Sequence, residues 1–321
     1  MAALLALITV VAWGTWIPVA QAMPDVPQRL RTFYVTAGNV VFAAFALVVG
    51  GGHLSVDWRH FWLPFAGGVV WTAGSYSAFR ATQTIGLARA DGTWAPLNIV
   101  VAFVWGALLF GELDGFTGAH FAVVGGGLVL VFVGVLLIIR SQDERSADVM
   151  EQDTPPASAL SVPGSGLGKP ASVAPGAAGT YRRGLIWAGA AGVLWGSYFV
   201  PAQWAKIPAQ VSNFPLALGI LAAGSALALR RGQPVRLRPK VTAVQLTAGL
   251  LFGIGNLALL GLVTRVGTGV GFTIAQLSLL VNASIGVWLF KVPRPGSRAA
   301  RIVLAGILIA GIGGVLVGTA R

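Results

Sequence analysis

The chain has 321 residues, of which 55% are apolar and only 10% are charged, and its mean hydropathy is +0.78. A soluble domain carries about 25% charged residues, so this composition excludes an ordinary soluble protein. The net charge of +12 comes from basic residues that lie singly or in short clusters between apolar runs. That distribution is typical of membrane orientation signals and argues against nucleic-acid binding. The absence of cysteine excludes disulfides, thiolate metal sites and cysteine catalysis.

Apolar stretches of the length that crosses a bilayer follow one another along most of the chain. They predict an all-α integral membrane fold with ten transmembrane helices. The predicted spans are 3–22, 33–51, 62–84, 94–111, 120–139, 184–204, 213–229, 243–263, 268–290 and 301–319.

One long polar stretch, 140–183, separates the fifth and sixth predicted spans. It is rich in Pro, Gly, Ser and Ala and cannot bury enough apolar surface to fold, so it is predicted to be a disordered linker. The linker divides the chain into a first five-helix unit, 1–139, and a second, 184–321.

The two units resemble each other at an offset of about 180 residues. The segment Trp13-Gly-Thr-Trp-Ile-Pro18 returns as Trp195-Gly-Ser-Tyr-Phe-Val-Pro201, and the glycine-bounded stretch 127–134 matches 306–313. Because five spans are an odd number of crossings, the second copy enters the membrane upside down. Inverted repeats of this kind are a recurrent plan of secondary transporters, with the solute site between the halves.

The loop charges test this inversion. Basic residues concentrate in the loops that follow odd-numbered spans, whereas the other internal loops hold only Arg59, Lys206 and Arg265. Equivalent loops of the two halves therefore carry opposite bias. The positive-inside rule predicts a multi-pass protein of the bacterial cytoplasmic membrane, with the linker in the cytoplasm and both termini extracytoplasmic.

No catalytic constellation is present, and the three histidines lie at span edges, so the chain is predicted not to be an enzyme and to need no cofactor or metal. The spans instead contain neutral polar and aromatic groups, which can either bridge helices or bind a hydroxyl-rich neutral solute. Repeat pairs such as Trp16 with Tyr198 favour a site between the halves. The predicted substrate-binding residues are Trp16, Gln21, Asn39, Tyr76, Asn98, Tyr198, Gln203, Asn256, Gln276 and Asn282.

A few residues are candidates for gating or coupling. Arg80 is the one basic residue inside a predicted span, where it either reaches the cytoplasmic surface or serves as a gate. Pro18 and Pro201 sit inside paired helices and permit bending. If transport is proton-driven, Asp91 or Glu112 is the predicted proton carrier.

Four motifs together resemble one family. They are Trp13-Gly-Thr-Trp-Ile-Pro18, Trp94-Ala-Pro-Leu-Asn98, Phe110-Gly-Glu112 and Trp195-Gly-Ser-Tyr-Phe-Val-Pro201. The chain thereby resembles the glucose/ribose uptake family of sugar transporters, within the drug/metabolite transporter superfamily. The resemblance covers nearly the whole chain outside the linker, and it implies ten helices and sugar uptake, with proton symport as a further implication.

The leading hypothesis is a secondary transporter that moves a small neutral solute, a sugar, by alternating access. An exporter of drugs, metabolites or amino acids from the same superfamily is the alternative, and a non-transporting membrane scaffold or sensor is a third reading. The predicted partners are the small-molecule substrate, membrane lipid and, if transport is proton-driven, a proton.

Overall fold

A computed structural model describes residues 1–23, 26–51, 57–85, 87–152, 177–229, 236–289 and 295–319. Within these ranges every regular element is helical, which confirms the predicted all-α fold class. A π-helical turn, Trp58–Trp62, precedes α3. The helices are α1 (Ala2–Gln21), α2 (Gln28–Val49), α3 (Leu63–Ile85), α4 (Leu87–Leu109), α5 (Gly118–Gln152), α6 (Ala177–Trp195), α7 (Val200–Trp204), α8 (Ala209–Leu229), α9 (Pro239–Val266), α10 (Thr268–Gln276), α11 (Ser278–Trp288) and α12 (Arg298–Thr319).

The helices are apolar enough to make this a multi-pass membrane protein. In the described ranges, six helical stretches have the length and composition to cross a bilayer, namely Ala2–Ala20, Arg29–Val49, Arg182–Trp204, Ala209–Leu229, Pro239–Val266 and Arg298–Val317. Shorter apolar stretches occupy Leu97–Leu109, Gly118–Gly134 and Thr268–Asn282.

Two of the predicted spans are interrupted. The sixth consists of α6 and α7, separated by a turn at 196–199, and the ninth consists of α10 and α11, separated at Leu277. Pro201 therefore lies in the first turn of α7, where a missing N–H costs no helical hydrogen bond, and not in mid-helix as predicted. Pro18 does lie inside its helix, as predicted.

Both ends of the predicted linker are helical, because α5 continues to Gln152 and α6 begins at Ala177. The remaining linker residues, 153–176, lie outside the described ranges. The predicted division of the chain at this linker remains a prediction.

Contacts between the two halves come in equivalent pairs. Helix α1 packs on α9 as α6 packs on α3, and α2 packs on α9 as α8 packs on α3. Four glycines make this symmetry specific, because a Cβ atom at each would lie 2.1–2.2 Å from a backbone carbonyl oxygen of the facing helix. Two equivalent contacts join Gly38 to Leu246 and Gly219 to Phe65, and two more join Gly68 to Leu216 and Gly249 to Val35.

The last helix of each half obeys the same symmetry. Helices α5 and α12 pack together, with Gly127 facing Gly313 and Gly134 facing Gly306. Ascending numbers on α5 meet descending numbers on α12, so the two helices are antiparallel. This is the arrangement that an inverted repeat of five spans requires.

Candidate functional site

Aromatic rings from both halves meet at the centre of the inter-half contact. We call this group the aromatic cluster; it lies on α1, α3, α6, α9, α10 and the turn after α6, and consists of Trp13, Trp16, Trp71, Trp195, Tyr198, Phe199, Phe252 and Phe272. Such rings offer flat apolar faces and, in Trp and Tyr, a polar edge.

The ring contacts repeat across the two halves. Trp71 and Phe252 touch with centroids 4.8 Å apart. Each also packs on the tryptophan that opens the opposing motif, since Trp13 lies 6.2 Å from Phe252 and Trp195 lies 6.4 Å from Trp71. Trp71 and Phe252 are therefore equivalent residues that meet each other across the internal two-fold axis.

A buried chain of hydrogen bonds runs beside these rings. The Tyr198 hydroxyl donates to Asn256 Oδ1 at 2.9 Å, and Asn256 Nδ2 donates to Asn213 Oδ1 at 3.0 Å. All three side chains are at most 1% exposed, and Asn213 Nδ2 has no hydrogen-bond partner. An amide donor buried without a partner costs about 1–3 kcal/mol, so a bound ligand or a bound water is expected to satisfy it.

A cavity of about 330 Å³ lies at one end of this chain, between α7, α8 and α9. Its polar lining comes from Gln203, Lys206, Ser212 and Thr264, and its apolar lining comes from Ala202, Ile207, Pro208, Ala209 and Leu260. Lys206 follows α7 with φ of 55°, the only positive φ at a non-glycine residue in the described ranges. The predicted Gln203 is thus in this cavity and half-buried.

Other predicted residues lie on the same inter-half contacts. Trp16 packs on Phe252 with centroids 5.4 Å apart. Asn39 is fully buried against Gly253, and neither its amide oxygen nor its amide nitrogen has a partner. Pro18 is buried in α1.

Tyr76 lies apart from its predicted repeat partner Asn256. The glycine and ring contacts on α3 and α9 follow an offset of 181 residues, which makes Ser75 the counterpart of Asn256. One residue of shift turns a helix position by about 100°. Tyr76 is accordingly 37% exposed, whereas Ser75 is buried.

Arg80 lies with Tyr76 on this exposed side of α3. Its Nε donates to the Tyr76 hydroxyl at 3.0 Å, and its guanidinium carbon lies 5.4 Å from the centre of the ring. The Tyr76 ring also packs edge-on against Trp187. Arg80 is thus exposed and hydrogen-bonded to Tyr76, and both readings of its charge, surface-directed and gating, stay predictions.

Asn98 is buried in α4 and its amide oxygen has no partner. Packing assigns its counterpart as Ser278. A Cβ at Gly196 would meet Val101 and the Asn98 carbonyl oxygen, and a Cβ at Gly14 would meet Val281 and the Ser278 carbonyl oxygen. The predicted pairing of Asn98 with Gln276 is therefore wrong by two residues. Gln276 itself is 9% exposed and ends α10 at the break before α11.

Glu112 joins the two halves. Its carboxylate accepts hydrogen bonds from the backbone N–H groups of Thr268 and Gly269, the latter at 3.0 Å, at the start of α10. A carboxylate at a helix N-terminus is favourable because it satisfies free N–H groups and faces the positive end of the helix dipole. Glu112 also borders an open cavity of about 450 Å³ with Asp114 and His120.

The structure shows little of the remaining predicted residues. Asn282 is half-buried in α11. Gln21 ends α1 and Asp91 lies in α4, but both side chains are outside the described part of the structure.

Several central residues were not singled out from the sequence as site residues. They are Trp13, Trp71, Trp195, Asn213, Phe252 and Phe272. The signal that could have found the rings is the repeat itself, since Trp13 and Trp195 open the matched motifs and Trp71 and Phe252 are 181 residues apart. At that offset Asn213 corresponds to Thr32, a smaller polar residue that is not an amide, so a search for paired amides gives no signal for it.

Known proteins resemble this chain over nearly its whole length. Three relatives carry the name "Putative sugar uptake protein": one from Listeria monocytogenes (23% identical, 99% of this chain and 98% of its own), one from Lactiplantibacillus plantarum (23%, 98% and 98%) and one from Enterococcus faecalis (23%, 99% and 99%). A crystal structure 19% identical in sequence matches with a TM-score of 0.66 over 99% of this chain and 97% of its own, which shows the same fold.

A family model described as "Sugar transport protein" matches residues 4–161 and 169–320. This match spans both halves and agrees with the resemblance found in the motifs. The chain therefore belongs to the sugar transport protein family.

Proposed function

We propose that the protein is a secondary transporter that takes up a small neutral sugar across the bacterial cytoplasmic membrane. The observation that carries this proposal is the aromatic cluster between the halves, with the Tyr198–Asn256–Asn213 chain beside it. Aromatic faces pack against the C–H face of a sugar ring, and amides donate and accept hydrogen bonds with its hydroxyls. No side chain of the cluster is charged, which suits a neutral substrate better than a cationic drug.

Alternating access is the proposed mechanism. The site lies where α1 and α9 meet α3 and α6, so a rocking of these helix pairs would open it first to one side and then to the other. The interruptions at 196–199 and at Leu277 border this region and supply bending points. We place the cavity at Gln203 on the extracytoplasmic side, because the charge pattern assigns the loop after α7 to that side.

Proton coupling through Glu112 or Asp91 is a further part of the proposal. Glu112 is favoured because its carboxylate spans the two halves. Protonation would remove its charge and weaken its bonds to the start of α10. A proton at Glu112 would thereby loosen one contact between the halves.

The direct test is uptake of radiolabelled sugars by a strain that lacks its own sugar transporters, with and without an uncoupler. We expect saturable accumulation of at least one neutral sugar, and loss of accumulation with the uncoupler if a proton drives it. Trp71→Ala removes a ring from the aromatic cluster and should reduce this uptake when the amounts of folded protein in the membrane are equal. Saturable efflux from preloaded cells without uptake would support the exporter instead.

A further inference from the structure

Three buried polar side chains lie one helical turn beneath the floor of the cavity at Gln203. The floor residues Ala202, Ala209 and Leu260 come from three different helices. Four residues away along the chain, in each case toward the protein interior, are Tyr198, Asn213 and Asn256. Asn213 on α8 and Asn256 on α9 each share a helix face with the floor residue four positions away, because residues four apart lie on one side of a helix. Tyr198, in the turn before α7, is hydrogen-bonded to Asn256, so the chain lies about one helical turn from the cavity lining.

The cavity lining next to this chain is made of small side chains on two of its three helices. Ala202 and Ala209 each contribute only a methyl group, and Leu260 contributes the one larger side chain. A small movement of α7 or α8 would therefore open the cavity onto Asn213.

The hydrogen bonds leave one amide with free donors. Tyr198 donates to Asn256, and Asn256 donates to Asn213, so Tyr198 and Asn256 are both engaged. Asn213 accepts through Oδ1 and leaves Nδ2 without a partner at 1% exposure. Its two N–H bonds are thus held in a fixed direction by the amide plane, which Asn256 orients.

We propose that Asn213 is a specificity-determining residue, which donates hydrogen bonds from Nδ2 to one hydroxyl oxygen of the sugar once it passes the alanine floor. This inference rests on the proposed function and extends it to the substrate class, namely sugars with a hydroxyl at the carbon that faces Asn213. A sugar lacking that hydroxyl would leave the amide unsatisfied again, and sites built around such donors reject the deoxy analogue.

The test is a thermodynamic cycle that combines a substitution at Asn213 with removal of one hydroxyl from the sugar. Equilibrium binding to the purified full-length protein is measured for each combination. The probes are glucose, galactose, mannose, ribose and xylose, followed by each monodeoxy derivative of the one that binds best. In the unmodified protein, we expect one deoxy position to weaken binding by about ten-fold. In Asn213→Ala, the parent sugar should bind about ten-fold more weakly, and that deoxy derivative should lose less than about two-fold more.

Two further variants separate substrate contact from packing. Asn213→Leu fills about the same space as asparagine but has neither donor nor acceptor, so it should lose the affinity without the void that Asn213→Ala leaves. Ser77→Ala removes a buried hydroxyl of α3 that is already bonded to Ala73 at 2.9 Å, and it should leave affinity unchanged.

The outcomes distinguish this inference from the proposed function. If no sugar binds the unmodified protein, both fail. If sugars bind but every deoxy derivative loses as much affinity in Asn213→Ala as in the unmodified protein, only the role of Asn213 is overturned.

Discussion

Trp71 of α3 and Phe252 of α9 pack with their ring centroids 4.8 Å apart and their planes tilted by 40°. The two residues occupy equivalent positions in the two halves. A contact between equivalent residues can arise only on the axis that relates the two halves. The proposed sugar site is therefore centred on these two rings, which differ in size but hold equivalent positions in the two halves.

This relationship predicts that the two rings can be exchanged. Trp71→Phe combined with Phe252→Trp keeps the total ring volume, so we expect near-normal stability and uptake. Trp71→Ala leaves a void and should cost about 3–5 kcal/mol of unfolding free energy. Thermal unfolding in detergent measures both. An exchange as damaging as the truncation would contradict the equivalence.

Glycines at the contacts between helices should be equally intolerant of substitution by alanine in both halves. Gly38→Ala and Gly219→Ala each place a methyl group about 2 Å from a carbonyl oxygen, so the helices must separate, at a cost of about 1–3 kcal/mol or more. Gly189→Ala is the matched control, since a Cβ there has nothing within 4 Å. Melting temperatures should fall in the first two variants and hold in the third; a fall in only one of the first two would refute the symmetry.

Two variants of Glu112 can separate the role of its negative charge from the role of its hydrogen bonds to α10. Glu112→Gln keeps an acceptor for one of the two backbone N–H groups, those of Thr268 and Gly269, which bond to different carboxylate oxygens. Glu112→Ala loses both acceptors and should destabilise by about 0.5–2 kcal/mol. If Glu112 carries the proton, Glu112→Gln should bind sugar normally yet lose uncoupler-sensitive accumulation. Accumulation that stays uncoupler-sensitive when Asp91, Glu112 and Asp114 are all amides would eliminate carboxylate coupling at these positions.

The predicted orientation can be tested directly because the chain has no cysteine. A single cysteine replacing Arg59 should react with an impermeant maleimide in intact cells, and one replacing Ser158 should react only after permeabilisation. Reporter fusions after Ser158 and after Arg321 should likewise report opposite sides. Fusions that report the same side would show that the number of spans is not as predicted.

Substitutions of the side-chain amides on the fourth and ninth predicted spans test whether these residues contact the sugar. Asn98→Ala and Gln276→Ala are each expected to weaken sugar affinity by about 1–3 kcal/mol, roughly five- to a hundred-fold, with expression unchanged. Ser278→Ala is the informative comparison, because packing makes Ser278 the counterpart of Asn98. Unchanged affinity with lower thermal stability in all three would identify these residues as helix-packing groups.

The transmembrane helices could be predicted because they depend on local hydrophobicity. The repeat could be predicted because its motifs match along the sequence. The prediction paired Asn98 with Gln276 since both are amides, although Thr93 and Thr273 already indicate an offset of 180 that selects Ser278. Chemical similarity was thus a poorer guide to register than backbone contact.

The interior of the site was harder to predict for a different reason. Whether a ring or an amide faces the opposite half depends on one residue of helical rotation, as Tyr76 and its neighbour Ser75 show. Hydrophobic periodicity is weak in helices that are apolar on every side, so it does not fix that rotation. Asn213 was overlooked because its importance lies in a hydrogen bond across to Asn256, which no linear pattern records.

Within the described residues, the helix interruptions at 196–199 and at Leu277 lie in the second half, while the corresponding α1 and α4 run without a break. The halves therefore match in position but differ in stiffness. When the protein changes the side to which it is open, we expect the second half to deform while the first half moves as a rigid body. For the alternating access proposed above, we therefore expect the two orientations to differ in free energy, so that the empty protein prefers one side even without a gradient.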